Sequence, residues 1–344
     1  MLKTLSYLAL SQGSNIYIHT GTLTLVGATW ASFTGTYKAS GASIIEVPAP
    51  PSPPLAPPIG AQGDPHLALP HGGKADFRGE DKALYNFLSA PGLSLNVMTE
   101  LADFELHPAN LSEPQGWRHK HVHGSFLTQA HVVARTDKGT AVRVSFYADK
   151  IGERNIAWAN GTIDSQPAFK LGPKMKKAVD NVTLYTDYSS LHVLNPEYEL
   201  IITPNLFRLE RNVVGLHHRL DIQAKLRVDE RDLSVPPHGI IGQAWDGDGL
   251  AIDGETDAFP NMGEFTTYAM AKGAIEGAPN DYKVAKPYAT DFKFSRFDAT
   301  SGAPRDVAKL VAAGVLNVPK KVLTGEGFVG ATENHVDDHK APAR

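Results

Sequence analysis

In Ala141-Val142-Arg143-Val144-Ser145-Phe146-Tyr147 apolar and polar side chains alternate from Val142 onward. Successive side chains of an extended chain point to opposite faces, so Val142, Val144 and Phe146 share one face and Arg143, Ser145 and Tyr147 the other. The stretch therefore reads as a strand with one face in a core. Outward from it, similar strand patterns cover Ser94–Glu100, Ser125–Arg135, Val182–Tyr185, Tyr198–Pro204, Leu206–Arg211 and Leu216–Val228. Gly, Pro and Asn punctuate them as turn residues do. Many short strands and few helical stretches predict a mainly β protein, with a β-sandwich-like domain over residues 61–300. One helix is expected at Arg305–Ala313, stopped by Gly314, and the charged tail Asn334–Arg344 is expected to be disordered. Together they make up a C-terminal segment over 301–344.

The chain has 344 residues, 42% of them hydrophobic and 20% charged, which is the balance of a folded protein. A net charge of −4 with both signs interleaved gives no electrostatic case for a nucleic-acid partner. The absence of cysteine excludes disulfides, thiolate metal sites and cysteine nucleophiles. No stretch has the length of a membrane-spanning helix, so no transmembrane segment is expected. The apolar start, Met1 to Leu10, is interrupted by Thr4, Ser6 and Tyr7. It is expected to be the end of a longer polypeptide, with a weak signal peptide as the alternative.

Before the main domain, residues 1–47 alternate over Ile16, Ile18, Leu23 and Leu25, and Gly13-Ser14-Asn15-Ile16 returns as Gly41-Ala42-Ser43-Ile44, 28 residues on. That offset suits one rung of a stacked solenoid. The stretch Ile16–Trp30 resembles rungs of the right-handed parallel β-helix of the pectin-lyase-like fold, so a β-solenoid-like fragment is expected, with a β-hairpin as the alternative. A linker over 48–60 follows, dense in proline from Pro48 to Pro58. Proline fixes φ and removes a backbone donor, so this run should be a semi-extended spacer.

Next comes Gly63-Asp64-Pro65-His66, then Asp76-Phe77-Arg78-Gly79, and far downstream His238-Gly239-Ile240-Ile241-Gly242-Gln243 with the acidic run Trp245-Asp246-Gly247-Asp248-Gly249. These motifs resemble the opening and closing elements of a von Willebrand factor type D-like domain. They are similar to the cysteine-free versions of plant root-cap and algal surface proteins, some of which also carry proline-rich spacers. The resemblance brackets residues 61–260. It implies a non-enzymatic extracellular or cell-surface module for structure or adhesion, meeting other surface or matrix proteins or glycans. It departs from the family in lacking the conserved disulfides.

Three clusters carry candidate chemistry. Asp246, Asp248, Asp253 and Asp257 lie in a glycine-rich acidic loop, and Ca²⁺ takes six to eight oxygens from such carboxylates and carbonyls. The alternative is an exposed turn whose aspartates bond local backbone. Asp64, Pro65 and His66 form a possible self-cleavage site, which the resemblance also implies for some members. The Asp64 carboxylate can attack its own carbonyl, Pro65 nitrogen is the leaving group, and His66 can supply the proton. Against this stands Asp64 as a turn cap and Pro65 as the start of an edge strand. His119, His121 and His123 share one face of a strand and, with His131 nearby, offer imidazoles suited to Zn²⁺ or Cu²⁺. Solvated edge residues are the plain alternative. No nucleophile-elbow or phosphate-cradling motif appears. The alternative functional expectation is a carbohydrate-active or metal-dependent hydrolytic enzyme, or a module whose only chemistry is self-cleavage.

Overall fold

The computed structural model describes residues 15–18, 22–26, 34–47, 57–106, 120–148, 159–164, 166–206, 218–260 and 262–297. The expected helix at 305–313, the tail and His119 lie outside the described residues. The chain divides into two compact units, Met1–Pro54 and Leu55–Arg344, and the division falls within the proline-dense run.

The first unit holds β1 (Asn15–Ile18), β2 (Thr22–Val26), β3 (Thr34–Lys38) and β4 (Ser43–Val47). β1 pairs with β3 and β2 with β4, both in parallel. Parallel pairing excludes the hairpin alternative for these strands, because a tight turn joins only antiparallel neighbours. The register also corrects the expected offset of 28. Thr22 faces Ser43 and Tyr17 faces Tyr37, a stagger of about 20 residues. The repeat did not mark equivalent positions, since Asn15 pairs with Thr34, whereas Ser43, its counterpart in the repeat, pairs with Thr22.

The second unit is built on two large sheets. Its strands are β5 (Ile59–Gln62), β6 (His66–Ala68), β7 (Lys74–Asp76), β8 (Ala83–Ala90), β9 (Leu93–Leu106) and β10 (Lys120–Arg135). β11 (Ala141–Tyr147), β12 (Ala159–Ile163), β13 (Phe169–Leu171), β14 (Lys176–Val179) and β15 (Val182–Thr186) follow. β16 (Leu191–Leu194), β17 (Tyr198–Leu206), β18 (His218–Leu226) and β19 (Gly263–Thr266) complete them. One sheet has the order β13-β12-β11-β10-β9-β8 with β19 added in parallel to β10, and the other has the order β14-β15-β16-β17-β18-β5-β6-β7. β5 starts at Ile59, inside the expected linker: the prolines stop at Pro58, and Ile59 is buried against the core.

Both sheets feed one apolar cluster. Tyr85, Phe87, Val97, Leu127, Val144 and Phe146 enter it from one sheet, and Leu184, Val193, Leu200, Ile202 and Ile222 from the other. In β18 the alternation is clean, with Leu220, Ile222, Ala224 and Leu226 buried and the residues between them half-exposed. β8 breaks the rule, because nearly every one of its residues is buried. Its outer face is covered by the irregular stretch that follows β18. Ser89 and His238 exchange backbone hydrogen bonds, both 2.7 Å, and Ser89 Oγ accepts from Arg296 N–H at 2.9 Å. A strand buried on both faces cannot announce itself by alternation, and β8 went unpredicted for that reason.

Candidate functional site

The site grows from an interruption in the edge of β10. β19 pairs with β10 up to His123, and β11 begins to pair only at Gln129. Between these points β10 presents backbone groups with no strand beside them among the described residues, and such groups need partners when buried. The turn between β5 and β6 supplies one. Gly63 adopts φ 69°, a left-handed conformation that glycine enters without steric cost, and its N–H donates to Asp221 Oδ1 at 3.2 Å. The next residue, Asp64, is turned inward, and its Oδ1 accepts the Ser125 N–H at 2.8 Å. The carboxylate thus stands where a strand's carbonyl would stand.

Asp64 is only 8% exposed, and its Oδ2 is buried with no hydrogen-bond partner among the described residues. Burial pushes this carboxyl up to about 6. The Ser125 N–H and the His66 charge oppose the rise, while Asp257 and Asp76 add to it. Pro65 is buried as well, and its carbonyl accepts the Phe77 N–H at 2.9 Å. Both sides of the Asp64–Pro65 bond are therefore anchored.

His66 opens β6 and pairs across the hairpin with Asp76 of β7. Its Nδ1 lies 2.6 Å from Asp76 Oδ1, and the Phe259 ring stands edge-on to the imidazole. The hydrogen bond to Asp76 raises the His66 pKa against the opposing effect of burial. Asp76 Oδ2 accepts the backbone N–H of Asp257 at 2.7 Å. Asp64, His66, Asp76 and Asp257 thus form one electrostatic group at the head of the β6–β7 hairpin.

The acidic loop divides between two places. After Asp248 the chain runs beside β7. Lys74 N–H donates to Asp253 Oδ1 at 3.0 Å, Gly254 N–H to Lys74 O at 2.8 Å, and Asp76 N–H to Glu255 O at 2.9 Å. Asp257 Oδ1 then accepts from Tyr268 N–H at 2.9 Å. This backbone pairing draws Asp253 and Asp257 along β7 and commits their carboxylates to N–H groups. Asp246 and Asp248 stay at the glycine turn, where Asp246 Oδ1 accepts from Asp248 N–H at 3.1 Å and Glu230 Oε1 takes the Gly247 N–H at 2.7 Å. Burial, reinforced by the charges of Asp248 and Glu230, brings the Asp246 carboxyl up to about 7. The four aspartates expected around one cation do not share one centre. Among the described residues, the His, Asp and Glu side chains that bring three ligand atoms within 4.8 Å of one another are Asp103, His121 and His123.

His121 and His123 do share a face of β10, with ring centroids 4.6 Å apart. His131 is not with them. It is buried, its Nδ1 sits 2.6 Å from Ser145 Oγ, and burial lowers its pKa to about 4. The shift in register between Leu127 and Gln129 separates it from the run before it. Sequence reasoning assigned no role to Gly124 and Ser125, which cradle Asp64, because nothing local links residues so far apart in the chain. Asp76, by contrast, stood inside a quoted motif.

The fold and site describe a mainly β protein in which a buried Asp–Pro bond sits beside the acidic side chains of Asp76 and Asp257. No protein-family model matches the chain, and no curated protein matches it.

Proposed function

We propose that the second unit is a non-enzymatic structural or adhesion module of the cell surface or extracellular space, whose one chemical event is cleavage of its own Asp64–Pro65 bond. The observation that carries this reading is the Asp64 carboxyl. One oxygen is fixed by Ser125 N–H and the other is buried with no partner among the described residues, in the residue that precedes a proline. An Oδ atom of Asp64 attacks the carbonyl carbon of the same residue and closes a five-membered anhydride. The C–N bond to Pro65 breaks as the proline nitrogen takes a proton, either the one carried by the Asp64 carboxyl or one given by His66, the next residue in the chain. Water then opens the anhydride and leaves Asp64 as a new C-terminus and Pro65 as a new N-terminus. The sum is hydrolysis of one peptide bond, without turnover.

The topology sets what such a cut would do. β5 is hydrogen-bonded to β18 on one side and to β6 on the other, so residues 1–64 would stay attached through strand pairing after the covalent link is lost. Purified chain held at pH 5.5 is followed by mass spectrometry under denaturing and native conditions. Fragments ending at Asp64 and beginning at Pro65 are expected only on denaturation, with Asp64→Asn intact throughout. A wild-type chain that stays whole removes the cleavage and leaves the module.

A calcium-assisted form of this module would draw on Asp246, Asp248 and Glu230 at the Gly247 turn, where the ion would have to gather oxygens that now accept the N–H groups of Asp248, Leu250 and Gly247. Calorimetric titration with CaCl₂ tests it. Asp248→Ala should abolish the heat, and a silent wild type rejects calcium.

A further inference from the structure

The face of β10 turned away from Asp64 carries a second constellation. Side chains alternate along a strand, so Val122 and Phe126, which belong to a buried aromatic cluster with Phe104, lie on one face with Gly124. His121 and His123 lie on the other. Both neighbouring strands place carboxylates opposite them: His123 pairs with Asp103 of β9, and His121 pairs with Glu264 of β19. His123 Nδ1 is 2.7 Å from Asp103 Oδ1, and His123 Nε2 is 2.7 Å from Glu264 Oε1. Ligand atoms of Asp103, His121 and His123 all fall within 4.8 Å of one another.

We propose that this face is a binding site for a borderline divalent transition metal of the Zn²⁺ kind, with His121, His123 and Asp103 as ligands and Glu264 as the further carboxylate within reach. Two imidazoles and one or two carboxylates make a mixed nitrogen–oxygen set that suits Zn²⁺ and disfavours Ca²⁺ and Mg²⁺, which take oxygen. Three of the ligand side chains sit on two long antiparallel strands, so their spacing is set before any ion arrives. The fourth is on β19, a four-residue strand whose pairing is to β10. His123 already ties Asp103 to Glu264 by hydrogen bonds. A metal ion would replace those bonds with shorter and stronger ones and clamp β19 to the sheet. The carboxylates are well exposed, so the ion needs no opening motion to enter.

The test is calorimetric titration of the full chain with ZnCl₂, paired with thermal unfolding with and without the ion. The ligands all follow Asp64 in sequence, so the titration is independent of whether the Asp64–Pro65 bond is intact. One equivalent should bind and raise the melting temperature. His121→Ala and Asp103→Asn should each weaken binding by about tenfold or more, the scale typical of disturbed metal sites. Both variants should melt close to the wild type without metal, since Asp103 is exposed, His121 is half-exposed, and a solvent-exposed pair such as Asp103–His123 adds little stability. CaCl₂ in tenfold excess should not compete. Unchanged affinity in both variants would place the heat elsewhere among the chain's 14 histidines and overturn the proposal, as would the absence of binding.

Discussion

Gly124 and Asp64 meet so closely that a Cβ on Gly124 would stand 2.5 Å from Asp64 Cγ and overlap both carboxylate oxygens. The missing side chain on β10 is what lets the carboxylate reach the Ser125 N–H. Gly124→Ala should therefore push Asp64 off its donor or distort β10. Overpacking of this kind costs about 1–3 kcal/mol. Urea unfolding of the variant should show that loss, and any cleavage at Asp64–Pro65 should slow with it. A variant as stable as the wild type would mean that the turn holding Asp64 is looser than the contact requires.

Asp64→Asn isolates the charge. The carboxyl ordinarily titrates at 3.8 and is raised to about 6 in the folded chain, so between these values the folded state holds more of the proton. The sign follows: stability is greatest below 3.8 and falls as pH rises through about 6. A shift of that size corresponds to roughly 3 kcal/mol lost at neutral pH. Asparagine keeps an oxygen for Ser125 but leaves a buried N–H unpaired, which takes back roughly 1–3 kcal/mol of the gain. Denaturant curves at pH 7.5 should show Asp64→Asn at least as stable as the wild type, with the advantage vanishing below pH 4. Equal pH profiles for the two proteins would refute the buried-charge account.

How far the sequence carried depends on what each element rests on. β18 buries one face and half-exposes the other, and β11 alternates in sequence although Ser145 on its second face is buried beside His131, so the pattern gave both away to within a few residues. β8 is buried on both faces, and β19 is short and polar, with the burial of an edge; neither leaves a period to read. The Asp64 motif was visible because its chemistry is local, one carboxyl next to one proline. Its cradle was not, since Ser125 lies 61 residues away in the chain and is brought there by the fold. The acidic loop failed differently. Asp253 and Asp257 looked like partners of Asp246, but backbone pairing with β7 decides where their oxygens go, and composition does not encode that pairing.

Asn96 tests how the irregular stretch after β18 is fastened to the sheet. Its Nδ2 donates to Pro287 O at 2.9 Å and to Ala289 O at 2.6 Å, and its Oδ1 accepts from Asn86 Nδ2 at 2.9 Å. Asn96→Ala leaves buried groups on both sides unpaired, each costing about 1–3 kcal/mol. The damage should be local at first. Limited proteolysis should cut within residues 284–297 earlier in the variant than in the wild type, before any site in β9 or β10. Simultaneous loss of both regions would show that the segment and the sheet unfold as one unit.

His238 sets the response to acid. It is buried between Phe294, with ring centroids 4.6 Å apart, and Tyr282, and its Nδ1 has no hydrogen-bond partner among the described residues. Burial lowers its pKa to about 4, although Glu276 Oε2, 3.2 Å from Nε2, acts in the opposite direction. An unfolded chain takes up a proton on this ring near 6.5 while the folded one resists until about 4, so stability is full above 6.5 and lost as pH falls towards 4. The loss from this one ring is about 2–3 kcal/mol by pH 4.5. Measured in an Asp64→Asn background, which keeps the chain whole and removes the opposing carboxyl, urea unfolding at pH 7 and pH 4.5 should reveal it. His238→Gln should shrink the difference between the two pH values by that amount, whatever it costs at neutrality, because glutamine cannot take up the proton. An undiminished difference would place the acid sensitivity in His131, whose burial depresses its pKa to about 4 in the same way.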